Sequence, residues 1–350
     1  MSDKHSGRSV GRIVARVALV TGSVILGILM IAGVLLGTPV LDPSLTSSAS
    51  PVAAYTDAVA RIDAVATQES DLPLLPRAHS YALLTGQTTP TAVVIFHGYC
   101  NTPDEFRLVA QAYRDQGDNV WVPRLPHHGL ADKFTDEFSQ LTAEELRDFA
   151  DDQIDIAAGL GEKVLVMGLS GGGSVALWTG LERPEVTRTV LISPMLQPIG
   201  YSEWAVPPIV RALRLSPVDS YAWYNAEKQA DNVEGMIYPR YSLKGVAAIL
   251  GMRIWAQSKT GGTETPMQAS VLLIRNDGDQ TVDADFNQNL LTQLTAPDGL
   301  EVYRIPASAG LLHDLIAPDP EFNTDAQVTE SYGQLEQALG IPMPDPLQTR

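Results

Sequence analysis

One cysteine, Cys100, stands in 350 residues, so no intrachain disulfide can staple this chain. Bases are scarce: 24 Lys plus Arg face 41 Asp plus Glu, a formal net charge of −17. Four of those bases, Lys4, Arg8, Arg12 and Arg16, precede a single apolar run, which leaves 20 bases against 40 acids for the rest of the chain. A field of that sign repels nucleic acid and anionic lipid surfaces and disfavours a strongly anionic substrate. Internal repeats and long low-complexity tracts are missing, which excludes a solenoid or a largely disordered chain. No cysteine stands at the end of the apolar run, the one cysteine being Cys100, so lipid attachment at a lipobox-type site is excluded.

The one long hydrophobic run spans residues 17–40, with no charged residue from Val17 to Leu41. About 20 such residues, as a helix, match the hydrocarbon thickness of a bilayer. The basic residues before it, against the lone acid Asp3, predict a cytoplasmic N-terminus of residues 1–16 and export of the chain from residue 41 onward. The run is longer than a signal h-region, and Thr38-Pro39-Val40 carries no small-x-small cleavage site. We therefore expect a transmembrane signal-anchor; cleavage near Ser48 or Ala54 would instead release the protein as a secreted form. Gly33 and Gly37 have the spacing of a helix-packing pair, a weak signal alone. Residues 41–70 open with a stretch rich in Ser, Thr and Pro and are expected to be a tether, leading into one catalytic domain over 71–350.

Chemistry concentrates at Gly168-Leu169-Ser170-Gly171-Gly172. An apolar strand-like run, Val164–Met167, lies before it and a helix-like stretch, Ser174–Trp178, after it. Strand, tight glycine turn and helix in that order form the setting of a nucleophile elbow. A serine hydroxyl is a weak nucleophile until it is exposed, aimed and paired with a base. The base expected here is His313, on a short loop after the strand-like Leu300–Ile305. A histidine so placed reaches a serine with one ring nitrogen and a carboxylate with the other. Asp277, Asp279 and Asp283 compete for the carboxylate, all at the end of the apolar run Val271–Arg275. The order Ser, Asp, His is the one an α/β-hydrolase sheet uses.

A second strand-like run, Ala92–Phe96, enters His97-Gly98-Tyr99-Cys100. The backbone N–H groups of Tyr99 and Gly171 are expected to form an oxyanion hole, two fixed donors for the charge that develops on a tetrahedral oxygen. That role leaves the Tyr99 side chain unconstrained. Thr102, Pro103 and Glu105 read as a helix start, with Glu105 completing a capping box. His97 is read as a structural member of its turn, and Cys100 lacks the setting of a nucleophile. The adjacent His127 and His128 invite a metal reading, but neighbours in sequence do not share a helix face and no partner lies at ligand spacing. No metal or organic cofactor is expected.

With Phe96-His97-Gly98-Tyr99, Val122–Gly129, the Gly168–Gly172 elbow, Asp279 with Val282, and His313-Asp314, the chain resembles the α/β-hydrolase superfamily, in particular its monoacylglycerol lipase and carboxylesterase-like members. The resemblance runs from about Thr91 to the C-terminal region. It implies that Asp279, three residues before Val282, is the acid. Asp277 is then a turn former and Asp283 a helix cap.

Six strand-like runs, near Ala92–Phe96, Val120–Pro123, Val164–Met167, Thr189–Ile192, Val271–Arg275 and Glu301–Ile305, alternate with helical patterns. One helix opens at the capping box Thr142–Glu145 and runs towards Ala158. Alternation of this kind predicts a mostly parallel, helix-covered α/β sheet. The rhythm breaks over about 196–266, expected as a cap insertion. Aromatics are only 7% of the chain, yet Tyr201, Trp204, Tyr221, Trp223, Tyr224, Tyr238, Tyr241 and Trp255 crowd there, either as an acyl pocket or as the insertion's own core. The expected activity is serine-dependent hydrolysis of small, uncharged, lipophilic esters, monoacylglycerol-like; acyl transfer, thioester or amide cleavage would use the same residues. A serine in the elbow, where dehalogenases carry aspartate, disfavours that chemistry. A membrane-tethered binding protein without turnover is the expectation from another class.

Overall fold

The computed structural model describes residues 45–223, 238–262, 267–316 and 323–348, together with Gly33. The expected transmembrane run at 17–40 and Tyr224 lie outside the described residues, Gly33 apart. Among the described residues no helix is long and apolar enough to cross a membrane.

Seven strands form one sheet in the order β1-β3-β2-β4-β5-β8-β9. These are β1 (Tyr81–Leu83), β2 (Thr89–Phe96), β3 (Asn119–Val122), β4 (Gly161–Leu169), β5 (Val186–Ile192), β8 (Ser270–Asn276) and β9 (Leu300–Ile305). All neighbours pair in parallel except β1, which runs antiparallel to β3 at the edge. The six expected strands are all present, each within a few residues of its expected bounds. The edge strand β1 was not foreseen: three half-buried residues carry too little period-2 pattern to register. The central strands are buried on both faces, as Val93, Val94, Ile95, Val166, Met167 and Ile192 show. That is why they read as continuous apolar runs and not as alternation.

The helices α1 (Tyr55–Ser70), α2 (Arg107–Asp115), α3 (Ala143–Leu160), α4 (Ser170–Glu182), α7 (Ala284–Leu294) and α8 (Asp325–Leu339) accompany the sheet. Helix α3 begins as expected: the Thr142 side chain accepts from the Glu145 N–H. The Glu145 carboxylate does not complete the box, because it turns to His127.

Residues 45–70 are not a free tether. Leu41–Arg350 clusters as one unit, and α1 packs on α3. The segment before α1 is stitched to buried groups: Trp178 Nε1 donates to the Leu45 carbonyl at 2.8 Å, and Ser47 Oγ donates to Asp151 at 2.6 Å. The amides of Ser48 and Ser50 donate to Asp151 and Asp155. Those two carboxylates also grip the fully buried guanidinium of Arg183, at 2.9 and 2.6 Å. Serines that suggested a linker are there because short hydroxyl side chains let the backbone approach two buried carboxylates. In the local sequence a linker and such a lining look alike.

Between β5 and β8 the chain builds an insertion from α5 (Val206–Leu215), the antiparallel pair β6 (Tyr221–Trp223) and β7 (Arg240–Ser242), and α6 (Leu243–Ser258). Helix α6 packs on both α5 and α4. Ser242 caps α6 by accepting from the Gly245 N–H.

Candidate active site

Ser170 is the first residue of α4, directly after β4, and holds φ at +51°. Left-handed backbone costs a non-glycine residue energy and persists only where its surroundings impose it. Here the turn is forced by packing: a Cβ on Gly172 would lie 2.2 Å from the Phe96 carbonyl, so only glycine lets α4 approach β2 so closely. The turn is also tied down by the Met195 amide, which donates to the Ser170 carbonyl at 2.8 Å.

The loop after β8 carries the three competing aspartates, and the structure separates them. Asp279 lies at 2.7 Å from His313 Nδ1 and is buried. One of its oxygens accepts from the amides of Thr281 and Val282. Burial by itself would raise its pKa, but the His313 hydrogen bond and charge, with the two amides, outweigh it and hold the carboxyl below the usual range. Asp277 instead pairs with Arg275 and Arg304. Asp283 caps α7, accepting from the Phe286 N–H. His313 Nε2 is buried and hydrogen-bonds none of the described residues, and the histidine borders the same cavity as Ser170.

The amides expected as an oxyanion hole are neighbours in space. A Cβ added to Gly171 would lie 3.1 Å from Tyr99 Cβ and 3.4 Å from Tyr99 N. The loop that carries Tyr99 is braced from below by neutral histidines. His97 Nδ1 donates to the Gly98 carbonyl at 2.9 Å, while Nε2 accepts from the Leu125 N–H at 3.0 Å. Full burial holds its pKa down to about 3. His128, packed edge-on against both His97 and Tyr99, is likewise held well below its usual value, by burial first. His97 is therefore the structural turn member the sequence suggested.

Three expectations need correction. Thr102 does not cap a helix: its hydroxyl is buried without a partner among the described residues, and a 3₁₀ turn (Pro103–Phe106) stands where the helix start was expected. Glu105 leaves the capping box because its carboxyl is drawn to the Gly98 N–H and Asn101 instead. The Tyr99 side chain is also far from unconstrained. Its hydroxyl donates to the Ser242 carbonyl at 3.1 Å, reaching the start of α6. Asn101, Glu105 and Asp314 all border the cavity, and local sequence gave no sign of it. Only the adjacency of Asp314 to His313 hinted at a role.

His127 meets two acidic partners after all, Glu137 at Nδ1 and Glu145 at Nε2, 3.0 and 3.1 Å away. They sit on opposite sides of the ring, which bridges two acids and cannot chelate an ion with both. Among the described residues no group of three or more His, Cys, Asp or Glu is arranged to hold a metal. Burial pushes the Cys100 thiol up, which keeps it an inert neutral group.

The cavity measures about 700 Å³. Sheet-edge loops supply its polar wall, with Ser170, His313, Asn101 and Thr281; the insertion supplies an apolar one, with Ile209, Leu213, Val246 and Leu250. The insertion's aromatics divide between the two expected roles. Tyr201, Trp223 and Tyr241 border the cavity, whereas Tyr238 packs on Phe138 and Trp255 on Trp178. Trp204 does neither and is 79% exposed.

A model of the alpha/beta hydrolase family matches residues 93–325. A thermostable monoacylglycerol lipase of Bacillus sp. (strain H-257) is 27% identical over 128 residues, 33% of this chain and 48% of its own length. The chain thus aligns with about half the length of that relative. Among solved structures, one of two metagenome-derived lipolytic enzymes superposes with a TM-score of 0.55 at 17% identity, over 76% of this chain and 99% of its own. A monoacylglycerol lipase of Paleococcus ferrophilus gives 0.55 at 16%, covering 75% and 98%. A monoglyceride lipase of Saccharomyces cerevisiae, solved with a substrate analogue, gives 0.52 at 13%, covering 75% and 91%. At these identities the structural likeness concerns the fold.

Proposed function

Because this chain belongs to the alpha/beta hydrolase family, we propose that it is a serine hydrolase of lipophilic carboxylic esters, monoacylglycerol-like in size and polarity. The observation that carries this reading is one shared cavity: Ser170, strained at positive φ, and His313 both border it, and Asp279 holds the far side of the His313 ring at 2.7 Å. In the proposed reaction Ser170 Oγ attacks the acyl carbonyl and His313 Nε2 takes its proton. Asp279 keeps the ring oriented and stabilises the imidazolium. The Tyr99 and Gly171 amides donate to the developing oxyanion, a contribution of several kcal/mol to barrier lowering. The proton then passes from Nε2 to the departing alkoxide, and water, activated by the same nitrogen, releases the acid.

The insertion acts in this reading as a cap whose apolar wall, with Leu213 and Val246, receives the acyl chain. The name of the Bacillus relative, a monoacylglycerol lipase, supports an ester of that class. Residues 17–40 serve, in the same proposal, as a single-pass anchor that leaves the hydrolase unit outside the cytoplasm. Protease protection of the full chain in sealed vesicles tests that part.

The central test is hydrolysis of p-nitrophenyl esters from acetyl to palmitoyl by the wild type and by Ser170→Ala. Turnover that peaks at one chain length and disappears in the variant supports the proposal. Folded wild type with no Ser170-dependent turnover at any length overturns it.

A further inference from the structure

We infer that Glu105 and Asp314 together form a brace that holds the oxyanion loop against the loop carrying His313, as positioning residues for the reaction proposed above. The inference rests on that reading for its catalytic meaning and on geometry for the brace itself.

Glu105 is only 6% exposed. Its Oε2 accepts from the Gly98 N–H at 2.8 Å, one residue before Tyr99, and its Oε1 accepts from Asn101 Nδ2 at 2.9 Å. The same Asn101 nitrogen reaches Asp314 Oδ2 at 3.2 Å. Asp314 in turn accepts the Ile316 N–H at 2.9 Å, closing the turn that carries His313. Asp314 also lies near enough to Glu105 to raise its pKa. Two segments more than 200 residues apart in sequence therefore meet through two carboxyl groups and one amide.

Two carboxyls joined through one amide favour a proton on one of them, since neighbouring carboxylates repel. Burial first, and Asp314 second, push Glu105 well above the usual carboxylate range. The other titratable groups at this junction are His313 itself, next to Asp314, and Tyr332 from α8, whose hydroxyl donates to the Ile316 carbonyl. A proton on Glu105 removes the repulsion between the two carboxyls while its oxygens still accept from Gly98 and Asn101. Losing that proton, as pH rises through the raised pKa, sets two carboxylates against each other and pushes the loops apart. That displacement moves the Tyr99 amide relative to His313, and small misplacements of such groups are costly to catalysis.

Two readouts test this. The first is amide hydrogen exchange at Ile316 in Glu105→Ala. A brace predicts roughly tenfold faster exchange there, the loss of about one buried hydrogen bond. Unchanged exchange at Ile316 would mean that Glu105 supports only its own loop, and overturns the inference whatever the kinetics show. The second is the pH profile of ester hydrolysis. Glu105→Ala should lower kcat by about 10²-fold with KM little altered, the scale of a misplaced catalytic group. Asp314→Asn removes the second negative charge at the cost of one of its two acceptor oxygens, so it should lower kcat less than Glu105→Ala does and should lose the decline at higher pH. If Asp314→Asn keeps the wild-type decline at higher pH, repulsion between the two carboxyls is not what parts the loops. A wild type that lacks Ser170-dependent turnover removes the catalytic role together with the hydrolase reading, while exchange at Ile316 still decides the brace.

Discussion

The hydroxyl of Tyr99 donates a 3.1 Å hydrogen bond to the backbone carbonyl of Ser242, so the residue proposed to present an oxyanion amide is fastened to the first turn of α6. Gly245, close by in that same turn, leaves the space for it: a Cβ there would overlap the Tyr99 hydroxyl. Gly245→Ala must push the phenol away, and the backbone N–H of Tyr99 with it. The expected result is a fall in kcat of at least about tenfold, short of the roughly 10²–10³ cost of deleting an oxyanion donor outright. Tyr99→Phe, which keeps the ring and loses only the hydrogen bond, should cost a few-fold at most, in line with about 1 kcal/mol. Steady-state kinetics on the best p-nitrophenyl ester distinguish these from an undisturbed site.

Of the aspartates after β8, only Asp279 touches His313. Asp279→Asn should lower kcat by about 10⁴-fold, because an amide favours the wrong imidazole tautomer. Asp277→Asn should leave kcat within a few-fold and reduce stability modestly, since its partners Arg275 and Arg304 lie on the sheet and not in the cavity. Equal kinetic losses in both variants would refute the assignment.

Acid should destabilise the fold before the carboxylates titrate. His97 is held down to about 3 by burial, and its Nε2 must stay unprotonated to accept the Leu125 N–H. In the unfolded chain it titrates near the usual 6.5. Its folded pKa is thus below its unfolded one, so its contribution is complete above about pH 6.5 and is lost as pH falls from there towards 3. His128 acts with the same sign. His127 opposes them: its hydrogen bond to Glu145, then Glu137, raises its pKa, so its contribution is present at low pH and lost as pH rises through the folded value. Two buried histidines outweigh one half-buried one, and urea midpoints should fall between about pH 6.5 and 5. His97→Gln should flatten that slope; an unaltered slope would disprove the origin assigned here.

The cluster of Arg183 with Asp151 and Asp155 carries the N-terminal segment of the fold. Arg183→Met strands two buried carboxylates and should cost about 3–5 kcal/mol, read by chemical denaturation. Removing residues 45–54 should also destabilise, because Ser47, Ser48 and Ser50 satisfy those same carboxylates. A tether would be removed without effect.

What was legible in the sequence was local in origin. Buried parallel strands must be apolar throughout, so β2, β4, β5 and β8 announced themselves, and the glycines around Ser170 marked a turn that only close packing of α4 requires. The order of Ser170, Asp279 and His313 belongs to the chain and was readable there. The choice of Asp279 among three aspartates came from the family resemblance, and its contact with His313 agrees with it. Tertiary structure alone decided that Glu105 leaves its own helix start for Gly98 and Asn101, that serines near residue 47 line buried acids, and that Tyr99 holds α6. The physical reason is common to these cases. A polar side chain shows by its type that it needs a partner, but the partner lies far along the chain, and only the folded path selects it.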